Sequence, residues 1–98
     1  MEVTYVAICF GYWGRGKTEA IARAQLKKSG GKAKDFTIIY RVEYEAGKAK
    51  PYVDDAGSLC FFGVRQKIAE IKNGKRRELK AIPIRGDGSA DPLAMSAK

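Results

Sequence analysis

The spacing of hydrophobic and polar residues predicts a series of short strands around one helix. Residues 3–10 are apolar on both alternating faces, which is typical of a strand in the middle of a sheet. Residues 36–45 alternate between apolar and polar positions and give the clearest strand pattern in the sequence. Two shorter extended pieces are predicted, PYVDD at 51–55 and residues 58–62, with a turn at DDAG, residues 54–57. Because short connections join antiparallel neighbours, these pieces predict a mainly antiparallel sheet.

One main helix is predicted between the two long strands. Thr18 is a suitable N-cap, and Glu19 falls in the first turn, where the helix dipole favours an acid. The small residues at 29–31 supply the stop signal. The face that would pack on the sheet carries Ile21, Ala22 and Leu26.

The region after the shorter strands allows two interpretations. Val64, Ile68 and Ile71 keep helical spacing, which predicts a helix that ends at Asn73-Gly74. The same Asn-Gly pair is also a strong hairpin signal, so a hairpin is the alternative. A last strand is predicted at 79–84.

These elements predict a single small α+β domain over residues 1–84, in which a mainly antiparallel sheet packs on one main helix. The predicted order is β-α-β-β-β, followed by the second helix and the last strand. Residues 85–98 are small and polar without a periodic pattern, and they are predicted to form a disordered tail.

The composition agrees with one soluble domain. A chain of 98 residues has room for a modest core and no second functional unit. With 45% hydrophobic and 31% charged residues and no long apolar run, the chain is expected to be soluble and to cross no membrane. The start lacks a basic leader and a cleavage site, which favours the cytoplasm. Cys9 and Cys60 lie within apolar runs and are expected to be core thiols, not a disulfide.

The stretch GYWGRGKT at residues 11–18 matches the phosphate-binding pattern G-x-x-x-x-G-K-[ST] letter for letter. A P-loop domain needs a parallel sheet with crossover helices, and the predicted order offers one crossover. It also needs an acid for magnesium at the end of a later apolar strand, and the strand at 36–45 has no aspartate. Nucleotide binding at Gly11–Thr18 is therefore kept as the less favoured alternative, and the glycines are interpreted as turn residues.

The same stretch carries a cluster of aromatic and basic side chains, Tyr12, Trp13, Arg15 and Lys17. Exposed aromatic rings can stack on bases while neighbouring cations hold phosphates. In the alternative interpretation, Trp13 folds back over the helix and closes the edge of the core, and the charges are only a solvated surface.

Net charge gives the main functional signal. The chain has 19 Lys and Arg against 11 Asp and Glu, and a net charge of +8 on so small a domain attracts polyanions. Further basic groups lie around the end of the main helix and after Asn73-Gly74. The sequence predicts a module that binds DNA or RNA mainly through phosphate contacts. The predicted contact residues are Trp13, Arg15, Lys17, Lys27, Lys28, Lys75, Arg76, Arg77 and Lys80.

No catalytic, metal or cofactor site is predicted. The chain has no histidine, which removes the commonest general acid/base and metal ligand, and two cysteines do not complete a zinc site. Glu43 and Glu45 share one strand face but have no nucleophile or metal set nearby. We therefore expect no enzymatic activity.

The first thirty residues, a strand, a glycine turn and a helix that begins Thr18-Glu19-Ala20, resemble the opening of many small bacterial plasmid and phage proteins and of HicB-type antitoxin domains. This resemblance identifies no functional residue in the chain. It implies a second function, in which a protein of a mobile element, such as an inhibitor or antitoxin, docks its basic surface on an acidic protein partner.

Overall fold

A computed structural model describes residues 1–31 and 36–90 of the chain. Within these ranges the chain forms seven strands and one helix. In chain order they are β1 (Glu2–Cys9), β2 (Tyr12–Gly16), α1 (Glu19–Lys28), β3 (Thr37–Tyr44), β4 (Tyr52–Val53), β5 (Leu59–Lys72), β6 (Lys75–Glu78) and β7 (Ile84–Ala90).

All strand pairs in these ranges are antiparallel. Neighbouring strands run in the order β2-β1-β3-β5-β4, and β6 and β7 also pair with β5. Gly63 of β5 pairs with both Tyr44 of β3 and Gly86 of β7, so β3 and β7 lie on opposite edges of β5. The long strand β5 therefore joins the parts of the sheet, which curves into a nearly closed barrel.

Two apolar layers lie on the two faces of the sheet, because successive residues of a strand point to opposite faces. The barrel layer contains Val6, Ile38, Tyr40, Val42, Val53, Leu59 and Phe61. The helix layer contains Ala7, Cys9, Ala22, Leu26, Ile39, Ala69 and Ile71. Cys9 and Cys60 are both buried thiols, which confirms their prediction as core residues.

Helix α1 begins and ends as its sequence predicts. The Thr18 hydroxyl accepts a hydrogen bond of 3.2 Å from the Ile21 amide, which satisfies one of the unpaired donors of the first turn. Ser29 is the C-cap, and Gly30 follows with φ of 114°, a conformation that favours glycine. Ala22 and Leu26 are buried against the sheet, while Ile21 stays exposed.

The structure confirms the α+β class, the mainly antiparallel sheet and the main helix, and corrects the order of the first elements to β-β-α-β. The predicted glycine turn at 11–18 is mostly a strand, β2. Its Gly14 and Gly16 lie directly under the helix, and a Cβ on Gly14 would overlap the backbone of Leu26 and Ala22. These glycines are needed for close packing, which a sequence pattern does not distinguish from a loop.

The helix predicted over Val64 to Ile71 is wrong, since β5 continues through this region to Lys72. A register shift explains the misleading spacing. Ile39 pairs with Ala69 but Tyr40 pairs with Lys67, so Ile68 is an extra residue in β5. A bulge of this kind interrupts the period of two and produces intervals of three and four between apolar residues.

The hairpin alternative is the observed one. Asn73 and Gly74 have φ of 52° and 79° and connect β5 to β6, as Asn-Gly does in tight hairpins. The last strand is β7 at Ile84–Ala90, not 79–84, so the boundary predicted for the disordered tail at residue 85 falls inside a strand. The remainder of that predicted tail, 91–98, lies outside the described residues.

Candidate nucleic-acid interface

The strand register brings two hairpin tips to the same end of the sheet. Ile8 pairs with Ile38, and Thr37 pairs with Ile71. The connection at 10–11 follows β1, and the connection at 73–74 follows β5. Because neighbouring strands are antiparallel, both connections extend beyond the same end of the sheet.

The C-terminal end of α1 lies at this end too. The ring of Tyr12, the first residue of β2, lies beside Gly30. The Ser29 hydroxyl lies 3.2 Å from the carbonyl oxygen of Trp13 and donates to it. We call this part of the surface the basic end, and it comprises Phe10, Tyr12, Lys27, Lys28, Phe36, Lys72 and Lys75.

The lysines of the basic end differ from the neighbouring arginines in their ion pairing. Among the described residues, none of Lys27, Lys28, Lys72 and Lys75 forms an ion pair, and all four are exposed. Lys27 and Lys28 also lie in the last turn of α1, where the helix dipole attracts cations. These ammonium groups are accessible to an external anion.

The predicted arginines of β6 are instead paired with carboxylates. Arg76 contacts Glu19 at the start of α1, and its Nε donates to Glu78 at 2.5 Å. The hydrogen bond with Arg76 lowers the pKa of Glu78, and the same bond raises the pKa of Arg76. Arg77 donates to Glu70 at 2.9 Å. Because carboxylates partly neutralise them, Arg76 and Arg77 attract a polyanion less strongly than the neighbouring lysines do.

A groove of about 710 Å³ lies beside the second hairpin tip. It is lined by Phe36, Glu70, Lys72, Asn73, Lys75, Arg76 and Arg77. Phe36 is half-buried and packs against the barrel layer, so an apolar ring forms part of a wall that is otherwise mostly basic. The arrangement suits a ligand with anionic groups and a flat apolar surface.

Trp13 and Arg15 occupy the barrel side of β2 and are partly structural. Trp13 is half-buried and packs against the barrel layer, so it contributes to the core, but from the face of the sheet opposite the helix layer and not over the helix. The Arg15 guanidinium lies 5.6 Å from the centre of the Trp13 ring, and its Nη1 donates to the carbonyl oxygen of Pro51 at 2.5 Å. Arg15 thereby links β2 to the segment that enters β4. A shallow groove beside the pair also includes Lys28.

Two other predicted contact residues lie away from the basic end. Lys17 follows β2 at the opposite end of the sheet, where it lines a groove with Glu2, Tyr44 and Lys50. Lys80 is exposed in the connection that leaves β6. The structure thus places Lys27, Lys28 and Lys75 toward the same end of the sheet, and it places Lys17 and Lys80 away from that end.

The geometry of residues 11–18 gives the P-loop motif an ordinary structural role. Residues 12–16 pair with β1, and Thr18 caps α1. In the described part of the chain, no parallel strand pair supports a crossover of the kind that the motif requires.

Sequence reasoning did not select Phe10 or Phe36, although both lie at the basic end. Phe10 occupies the first position of a two-residue connection between Cys9 and Tyr12, and its ring is 69% exposed. The sequence feature that indicates an exposed position for Phe10 is Gly11, which marks a turn directly after the apolar strand. The pairing of Lys72 with Lys75 across the second tip depends on the hairpin, which the predicted helix excluded.

Over residues 1–31 and 36–90, no group of three or more Cys, Asp or Glu side chains is arranged to hold a metal ion. The same residues include no helix that is long and apolar enough to span a membrane. Comparisons of the chain with protein-family models, curated proteins and solved structures found no match.

Proposed function

We propose that this domain is a non-enzymatic module that binds DNA or RNA mainly through phosphate contacts at the basic end. The observation that carries the proposal is that one helix terminus and one hairpin place four exposed lysines at the same end of the sheet, none of them in an ion pair with a carboxylate of residues 1–31 or 36–90. Nucleic-acid phosphates are held largely by such cations, and the net charge of +8 favours the encounter.

The distribution of acids supports this location. Four glutamates, Glu19, Glu43, Glu70 and Glu78, are engaged by arginines. These pairs neutralise arginine charge and leave the lysines as the main source of positive potential. Because lysine ammonium groups act as point charges, they bind phosphate with little dependence on base sequence.

The test compares two double variants with the same change in charge. Lys72→Ala with Lys75→Ala removes two cations from the basic end, and Lys48→Ala with Lys50→Ala removes two exposed cations near the opposite end. Fluorescence anisotropy with labelled single-stranded and duplex oligonucleotides gives the affinity at several salt concentrations.

For the first variant we expect the slope of log affinity against log salt to flatten by about 1.4 for single strands, from about 0.7 per lost phosphate contact. Extrapolated from 1 M to 0.1 M salt, that slope corresponds to roughly a 25-fold loss of affinity. The control should change binding much less. Equal losses for both variants would contradict a localised site. If the unaltered protein binds no nucleic acid at low salt, the proposal is wrong and docking on an acidic protein is favoured.

A further inference from the structure

Phe10 stands at the tip of the β1–β2 hairpin in a conformation that its side chain disfavours. Cys9 and Tyr12 pair across the connection, and Phe10 has φ of 53°. Left-handed backbone of this kind is uncommon for residues other than glycine, asparagine and aspartate, and it is an outlier for a bulky side chain. Hairpin connections with positive φ favour Asn or Gly for the same reason.

The fold does not require an aromatic ring at this position. The Phe10 side chain is 69% exposed and belongs to neither apolar layer. Positions that combine backbone strain with an exposed apolar side chain are typical of functional contacts, because packing does not explain them.

The surroundings of Phe10 indicate what its ring contacts. Phe10 directly follows β1 and Phe36 directly precedes β3, and because these strands pair antiparallel, the two residues lie at the same end of the sheet. Tyr12, also at this tip, is 48% exposed. Lys72 and Lys75 line the same groove as Phe36. Lys27 and Lys28 are the last residues of α1, and Gly30, which follows this helix, lies against the Tyr12 ring. A partner that fits this surface has regularly spaced anionic groups and flat apolar faces that are accessible.

We propose that Phe10 stacks on an unpaired base of a single-stranded nucleic acid whose phosphates contact Lys27, Lys28, Lys72 and Lys75. This inference rests on the proposed function and adds a preference for single strands. The bases of a duplex are already stacked on one another, whereas those of a single strand are free to stack on an aromatic ring. The lysines would then supply affinity for the backbone, and Phe10 would distinguish single strands from duplex.

The experiment uses Phe10→Asn, because asparagine tolerates the left-handed backbone and removes only the ring. Ile82→Asn is the matched control, since Ile82 is an apolar residue that is 81% exposed in the connection between β6 and β7. Anisotropy is measured with a labelled oligothymidylate of about 16 nucleotides and with a duplex of equal length.

Phe10→Asn should weaken binding to the oligothymidylate at least about fivefold, which is the lower bound for loss of one stacked base. Its salt slope and its duplex affinity should stay unchanged, and Ile82→Asn should bind as the unaltered protein does. If the unaltered protein binds oligothymidylate and Phe10→Asn binds it equally well, the stacking role is wrong while the proposed function stands. Equal losses for single strand and duplex would overturn the preference for single strands.

If the unaltered protein binds no oligonucleotide at all, the proposed function is wrong, and the stacking role is wrong with it.

An anionic lipid surface is the alternative partner for the Phe10 ring at this tip. Sedimentation with vesicles of phosphatidylserine and phosphatidylcholine tests this arm, and a Phe10-dependent association with vesicles but not with the oligothymidylate would overturn the inference.

Discussion

Replacing Gly14 by alanine tests whether the glycines of residues 11–18 serve close packing. Gly14 lies in β2 under helix α1, and an added Cβ would overlap the Leu26 nitrogen and the Ala22 carbonyl oxygen. Both atoms belong to the helix backbone, so they cannot move aside by a change of rotamer. The helix must shift away from β2, or β2 must move away from the helix.

Two effects of the Gly14→Ala change oppose each other. Overpacking costs about 1–3 kcal/mol, and the upper part of that range applies because the contacted atoms are backbone. Alanine in a strand interior gains about 0.5–1 kcal/mol over glycine, since less backbone entropy is lost on folding. The free energy of unfolding should therefore fall by about 2 kcal/mol, which lowers Tm by roughly 8–16 °C in a domain of this size.

Gly11→Ala is the matched control within the same motif. A Cβ on Gly11 would meet nothing within 4 Å, and its φ is outside the left-handed region. This variant should keep its stability or gain about 0.4–1 kcal/mol. Circular dichroism during heating and in urea gives Tm and the free energy of unfolding for both variants. If Gly14→Ala melts within about 2 °C of the unaltered protein, less than the shift for 1 kcal/mol, the packing argument is refuted.

Three further predictions concern single side chains. Arg15→Ala should lower the free energy of unfolding by about 1.5 kcal/mol, since it removes a charged donor from the Pro51 carbonyl; an unchanged urea midpoint would contradict this. Phe10→Asn should raise Tm because it relieves roughly 1 kcal/mol of left-handed strain, and a lower Tm would show that the ring supports the fold. The Glu78 carboxyl should titrate below its ordinary pKa of 4.5 when followed by NMR, and Arg76→Ala should move the midpoint upward. Because the pKa of Glu78 is lowered in the folded state, the stabilisation from its pair with Arg76 is present above the ordinary pKa and is lost as the pH falls through the lowered value. An unchanged titration midpoint of Glu78 in Arg76→Ala would refute the pairing.

Local signals in the sequence were sufficient for the elements that follow one period. Residues 3–10 are apolar on both faces because β1 lies between the barrel layer and the helix layer, and residues 36–45 alternate with a period of two; these stretches correspond to β1 and β3. Thr18 and the small residues at 29–31 marked the ends of α1 because capping depends on neighbouring backbone groups alone.

Elements that depend on distant contacts were not predictable in this way. β2 was interpreted as a turn because its glycines lack the side chains that would show alternating polarity. Gly14 is required there because helix α1, which follows later in the chain, packs directly on it. β5 looked helical beyond Val64 because the extra residue Ile68 is defined by its pairing with β3.

The candidate site shows the same division. The composition showed an excess of positive charge but not where it lies. The strand register decides which lysines lie at the same end of the sheet, and it separates Lys17 from Lys28 and Lys75. The sequence also treated Arg76 and Lys75 as equivalent cations. Their difference comes from Glu19, which is 57 residues away along the chain and adjacent to Arg76 after folding.

The position of β5 between its neighbours has a consequence for synthesis of the chain on the ribosome. One edge of β5 pairs with β3, which is made before it, whereas the other edge pairs with β6 and β7, which are made after it. Until residues 84–90 emerge, the nascent sheet exposes an unpaired row of backbone donors and acceptors along β5, and such edges pair readily with other chains. A polypeptide released before residue 84 should therefore aggregate, even though every residue of the helix layer has already been made.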